Sequence, residues 1–111
     1  MKRVMWIENK GDDELSGPAR IGWVRVLNRG KKLLYKDQVF LSLRGRGFKS
    51  NFIDRVTKDH YWISGCHRDG RDALYGVSVV VDDDALEEYW VRIRNQPANI
   101  GQRKFRALSK Y

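Results

Sequence analysis

Short segments rich in β-branched and aromatic residues recur along this chain, and turn-forming residues separate them. The clearest pair joins residues 21–27 to residues 33–35 through Asn28-Arg29-Gly30, a pattern typical of a hairpin with glycine in the left-handed position. Further strands are predicted before residue 9 and at residues 39–43, 48–56, 60–64 and 74–81. Many short strands of this kind predict a mainly β fold of the α+β type, with a small, strongly bent antiparallel sheet or partial barrel.

One C-terminal amphipathic helix is predicted at about residues 84–94 and is expected to pack on this sheet. Its apolar residues recur at helical spacing: Leu86, Tyr89, Trp90 and Ile93. They form one stripe, which is the pattern of a helix that buries a single face. Asp84 is the expected N-cap, and the run Asp82-Asp83-Asp84 is interpreted as helix capping because it lacks the glycine and distal glutamate of a calcium loop.

The length of 111 residues corresponds to one ordinary domain, which is large enough to bury a core without metals or disulfides. We predict that residues 1–97 form this single β-rich domain. Residues 98–111 are set apart as a basic tail, for which disorder, docking on a partner and contact with nucleic acid all stay open.

Cys66 is the only cysteine, so an internal disulfide is impossible and a reducing cytoplasm is the expected location. The apolar start of the chain is interrupted at Glu8, which is too early for a secretory signal. The longest aliphatic run is Val79-Val80-Val81, whereas a membrane span needs about 20 apolar residues. The sequence therefore predicts no membrane partner.

Three motifs resemble a known group of proteins: GPARIG at residues 17–22, GRGFKSNF at residues 45–52 and YWISG at residues 61–65. Together they resemble a family of small uncharacterised bacterial proteins of about this length. Some of its members carry the label 1-deoxy-D-xylulose-5-phosphate synthase. Such synthases bind thiamine diphosphate across large domains, and this short chain has no Gly-Asp-Gly signature for that cofactor. The resemblance therefore implies a compact module and no particular activity.

Charge is distributed unevenly along the chain, although its net value is only +8. Residues 20–58 carry a local net charge of +9, residues 59–91 carry −6 and residues 92–111 carry +6. Two basic stretches therefore flank an acidic one, and a polyanion is the first partner to consider.

The first basic stretch interleaves cations with aromatic residues, and nucleic-acid binding uses cations for phosphates and flat rings for unpaired bases. Arg44-Gly45-Arg46-Gly47 is expected to be an exposed, mobile loop, in which glycine lets the backbone approach a phosphate and arginine binds it. We therefore expect a small cytoplasmic module that contacts DNA or RNA electrostatically. The residues expected to bind it are Arg20, Arg25, Lys31, Lys32, Arg44, Arg46, Lys49, Arg103, Lys104 and Arg106.

Two other interpretations of these charges stay open. The cations of residues 20–58 can form an ordinary solvated face over an aromatic core. Alternatively, the acidic stretch at residues 59–91 can meet a basic face of a second copy or of another protein, which would make the chain a protein interaction module.

Cys66 and His67 supply the residue types of a nucleophilic site. On an extended chain, however, adjacent side chains point to opposite faces, so the pair is poorly placed for activation. One cysteine and two histidines also lack the spacing of a zinc site. We therefore expect a binding module that is not an enzyme, with no cofactor and no metal.

Overall fold

Eight strands form one sheet in the computed structural model, which describes residues 1–11, 18–47, 49–73 and 76–107. In chain order they are β1 (Lys2–Asn9), β2 (Ala19–Leu27), β3 (Lys32–Tyr35), β4 (Gln38–Ser42), β5 (Phe52–Asp54), β6 (His60–Gly65), β7 (Val77–Val81) and β8 (Lys104–Ala107). The first six pair in the order β1-β6-β5-β4-β3-β2, and β1 also pairs with β2. All of these pairings are antiparallel, so the six strands close into a barrel. The predicted mainly β fold is confirmed, with the sheet bent until it closes.

Alternation of side chains fills the barrel interior with apolar residues. Successive residues of a strand point to opposite faces, so every second one faces inward. The interior cluster comprises Met5, Ile7, Val24, Leu33, Tyr35, Phe40, Phe52 and Ile63. Each strand of the barrel contributes at least one of these residues, and this shared core holds the six strands together.

A second apolar layer covers the outer face of β1 and β2. Strand β7 runs parallel to Ala19–Ile21 at the start of β2, and β8 pairs antiparallel with β7. The helix α1 (residues 83–93) follows β7, and its buried residues join those of the two strands. The second core contains Trp6, Ile21, Val79, Val81, Ala85, Tyr89 and Trp90. Two cores therefore share the wall formed by β1 and β2.

The helix has the predicted position and the predicted buried stripe. It begins as a single 3₁₀ turn at Asp83–Ala85 and ends in the wider π-helical turns of Glu88–Ile93. The predicted N-cap, Asp84, is wrong, because Asp84 lies inside the first turn; Asp82 precedes the turn, and its side chain makes no capping hydrogen bond. The carboxylate of Asp82 contacts Tyr35 of the barrel instead. No helix in the described part of the chain is long and apolar enough to cross a membrane.

The C-terminal basic segment contributes a strand to the sheet. Residues 97–99 form a short 3₁₀ turn, and Lys104–Ala107 form β8. Phe105 packs against the second core and Ala107 is buried in it, while the alternate positions Lys104 and Arg106 are exposed. The pairing with β7 and these two inward-facing residues together connect this strand to the rest of the fold. The remaining residues of the expected tail, 108–111, lie outside the described residues.

Candidate functional site

Strand pairing brings two basic loops together at one end of the barrel. Residue Lys32 of β3 lies opposite Leu41 of β4, and the Ser42 amide donates to the Lys31 carbonyl oxygen at 2.9 Å. The turn before β3 and the loop after β4 therefore lie side by side. We call this region the basic end; its cations are Arg29, Lys31, Lys32, Arg44, Arg46 and Lys49.

Hydrogen bonds define the backbone of the described residues in the loop after β4. The Leu43 amide donates to the Asn51 carbonyl oxygen at 3.0 Å, which closes the loop at its base. The Arg44 amide donates to the Ser42 hydroxyl oxygen at 3.1 Å, and Gly45 has a φ of +81°, a conformation that favours glycine. These contacts present Arg44 and its neighbours to solvent in a hydrogen-bonded turn.

Most cations of the basic end form no ion pair with a described carboxylate. In the described ranges, no carboxylate forms an ion pair with Lys32, Arg44 or Arg46. Arg44 and Arg46 are also exposed. Because the fields of these charges add instead of cancelling, this end of the barrel attracts anions.

The outer face of β2 extends the basic end. Arg25 lies directly opposite Lys2 of β1 and diagonally across from Lys32 of β3. Like charges directly opposite each other in a sheet are destabilising. The Lys2 ammonium lies 5.4 Å from the Trp23 ring centroid, which offsets part of this cost. Lys2 and Arg29 are two further cations of this region that the sequence did not predict. The fold identifies them, because Lys2 lies opposite Arg25 and Arg29 lies in the turn before β3.

Arg20, by contrast, is half-buried and is engaged by other residues of the chain. The buried Asp82 carboxylate accepts a hydrogen bond from the Tyr35 hydroxyl at 2.6 Å and one from the Arg20 guanidinium at 3.1 Å. Lys36 lies 3.6 Å from the same carboxylate. Gly22 makes room for this cluster, since a Cβ there would collide with the Asp82 carboxylate and the Tyr35 ring. Burial, followed by the bond to Asp82, raises the pKa of Tyr35 above its usual range.

Arg103, Lys104 and Arg106 also lie away from the basic end. The Arg103 guanidinium pairs with Asp83, and both residues line an open depression of about 480 Å³ together with Lys104. Strand β7 joins β2 at Ala19–Ile21, whereas the basic end adjoins Leu27. Along β2, Ile21 and Leu27 are six residues apart. At about 3.3 Å per residue, the two regions are separated by about 20 Å.

The ten predicted residues therefore do not form one face. Six of them lie at or beside the basic end: Arg25, Lys31, Lys32, Arg44, Arg46 and Lys49. The other four surround the junction of β2, β7 and β8: Arg20, Arg103, Lys104 and Arg106.

The carboxylates of the acidic stretch at residues 59–91 also differ in whether they are engaged within the fold or free to face a partner. Asp72 and Asp82 are buried, and Asp83 and Glu88 form ion pairs with arginines. Half of its eight carboxylates are therefore engaged within the fold, so the stretch presents a much weaker acidic surface than its composition indicates.

The geometry around Cys66 does not resemble an activated nucleophile. The thiol faces the Val4 carbonyl oxygen at 4.0 Å, and burial, followed by the charge of Asp72, raises its pKa well above the usual range. The ring Nδ1 of His67 lies 3.1 Å from the Arg71 carbonyl oxygen. A thiol with a raised pKa stays protonated at neutral pH. Within the described ranges, no group of three or more His, Cys, Asp or Glu side chains could hold a metal ion.

The fold is a small, closed β-barrel with additional strands and one short helix, and six cations lie in or beside the two loops at one end of it. No protein-family model, no curated protein and no solved structure matches this chain. Its function is therefore inferred from its own charges and contacts.

Proposed function

We propose that the protein is a cytoplasmic, non-enzymatic module that binds nucleic acid through its basic end. The observation that supports this proposal is the meeting of two exposed basic loops, in which no described carboxylate pairs with Lys32, Arg44 or Arg46. A nucleic acid supplies regularly spaced phosphates, and such a cluster of cations binds them with release of counterions.

Arg44 and Arg46 have the leading role in this proposal. Both residues are exposed on the loop after β4, and a guanidinium group binds a phosphate through two parallel hydrogen bonds. Contacts of this kind position a nucleic acid without reading its bases. Binding is therefore expected to depend strongly on salt and weakly on sequence, for DNA and RNA alike.

Titration of fluorescently labelled DNA and RNA oligonucleotides at several salt concentrations tests the proposal. The double variant Arg44→Ala/Arg46→Ala is expected to weaken binding and to reduce the slope of log affinity against log salt by about 2, since each lost phosphate contact removes about 0.9. The matched control is Lys104→Ala/Arg106→Ala, which removes the same charge from exposed positions of β8.

The control is expected to keep nearly the full slope. Equal losses in both variants would mean that net charge, and not the basic end, determines affinity. Absence of binding to either nucleic acid at low salt would reject the proposal.

Self-association through complementary charged faces is the alternative that the sequence leaves open. The internal pairing of the acidic stretch reduces the support for it. Sedimentation at low and high salt distinguishes the two, because charge-driven self-association predicts a larger species at low salt only.

A further inference from the structure

An apolar face lies on the outside of the barrel, across β3, β4 and β5. Leu34 is paired with Val39, and Leu41 is paired with Ile53, so the four side chains form two adjacent rows. They point outward because their chain neighbours Leu33 and Phe40 point into the barrel. We call these four residues, Leu34, Val39, Leu41 and Ile53, the outer apolar face.

This face belongs to neither core. The second layer covers β1 and β2, and among the described residues neither β7, β8 nor α1 packs on β3, β4 or β5. Leu41 is 37% exposed, and Val56, which follows β5, is 80% exposed. Leu34, Val39 and Ile53 are half-buried, so the face is partly exposed across all three strands. A partly exposed apolar face of this kind is a candidate interaction site.

The face is bordered by cations on two sides. On β2 and β3, Arg25 lies opposite Leu34, and Lys32 lies opposite Leu41. On the other side, the exposed Arg55 donates its amide to the Val39 carbonyl oxygen at 2.9 Å. The turn between β3 and β4 contributes Lys36 and Asp37, one charge of each sign.

The dimensions of the face restrict its occupant. Three strands spaced by about 4.8 Å give a width of about 10 Å, and two rows along the strands give about 7 Å. This matches the diameter of one α-helix, about 10 Å. Each of the three strands is hydrogen-bonded on both edges, so no edge remains for an added strand.

We infer that the outer apolar face binds an acidic amphipathic helix of a partner protein. The aliphatic stripe of such a helix would cover Leu41 and its neighbours, and its carboxylates would reach Arg25 and Lys32 on one side and Arg55 on the other. Two copies of this chain would instead bring two cationic borders together. A nucleic acid has no aliphatic surface to cover the face, so the two proposed sites share the cations Arg25 and Lys32 but differ in the apolar residues that only the helix would contact.

The test uses the full chain and a model helix made of leucine and glutamate with one apolar stripe. Binding is measured by titration calorimetry, and the contact is mapped by amide chemical shifts. The expected result is saturable binding with shifts at Val39, Leu41 and Ile53, and binding at least about tenfold weaker for Leu41→Ser. The matched control is Ile100→Ser, which removes an aliphatic side chain that is 45% exposed on a distant turn.

Two further peptides separate recognition of an acidic helix from non-specific apolar or ionic adhesion. A scrambled peptide of the same composition and a leucine–lysine helix are expected to bind at least about tenfold more weakly. Leu41→Ser is expected to leave nucleic-acid affinity unchanged, so failure of one proposal is distinguishable from failure of the other. Absence of binding to the acidic helix, equal binding of the scrambled peptide, or self-association that Leu41→Ser abolishes would overturn the inference.

Discussion

At the scale of single residues, the contacts of Asp82 differ most from those that its neighbours in the sequence predict. In a run of three aspartates before a helix, an N-cap is the natural prediction. The fold places Asp82 beside Gly22, where its carboxylate bonds Tyr35 of the barrel and Arg20 of β2. These partners are 47 and 62 residues away in the chain, so no local pattern could reveal them.

Asp82→Asn is expected to lower the free energy of unfolding by about 2 kcal/mol, because hydrogen bonds to a charged group in a buried site are lost or weakened. The exposed Lys36 contributes little to this loss. Urea denaturation monitored by tryptophan fluorescence measures it. Asp84→Asn is the control, since Asp84 is exposed, and should change stability by less than about 0.5 kcal/mol. Equal effects of the two variants would contradict the role assigned to Asp82.

The buried tyrosines predict the response to alkaline pH. Burial raises the pKa of Tyr89 from its ordinary value of 10.0 to about 12. The folded state therefore holds the proton more tightly than the unfolded state. This contribution to stability is complete below pH 10 and is lost as pH rises from about 10 toward 12. Tyr89→Phe should flatten that part of the stability profile, measured by urea denaturation at several pH values, and an unchanged slope would contradict the assignment.

At the scale of elements, the sequence predicted most strands and the helix but not β8. Alternation in residues 21–27 and 77–81, and the spacing of Tyr89 and Trp90, are local signals and were sufficient. Strand β8 has only four residues and lies among cations, so its composition indicates a tail. Its place in the sheet depends on Phe105, which packs on Tyr89 and Trp90 with ring centroids 6.0 and 5.2 Å apart.

Phe105→Ala is expected to destabilise the protein by about 2 to 3 kcal/mol, because it removes aromatic packing from a half-buried position in the second core. Lys104→Ala, the neighbouring exposed position, should cost less than about 0.5 kcal/mol. Thermal or urea denaturation compares the two variants. If Phe105→Ala is as stable as Lys104→Ala, then β8 does not contribute to the core as described.

At the scale of the whole molecule, the sequence predicted a mainly β domain but left its closure open. Closure depends on the pairings of β1 with β2 and of β1 with β6, which join strands distant in the chain, such as Met5 with Gly65. The fold also determines where the cations lie. Lys32 and Arg44 lie at one end of the barrel, whereas Arg20 and Arg103 form ion pairs elsewhere. Net charge along the chain therefore predicted a partner class, while the position of the proposed site could be assigned only from the fold.

Amide chemical-shift mapping with an unlabelled DNA or RNA oligonucleotide examines the basic end as the binding site without any substitution in the chain. Binding there predicts that the shifts that change cluster in residues 28–32 and 43–51, and that the changes disappear as salt is raised. Shifts centred on residues 103–107, or spread evenly over the surface, would refute binding through the basic end.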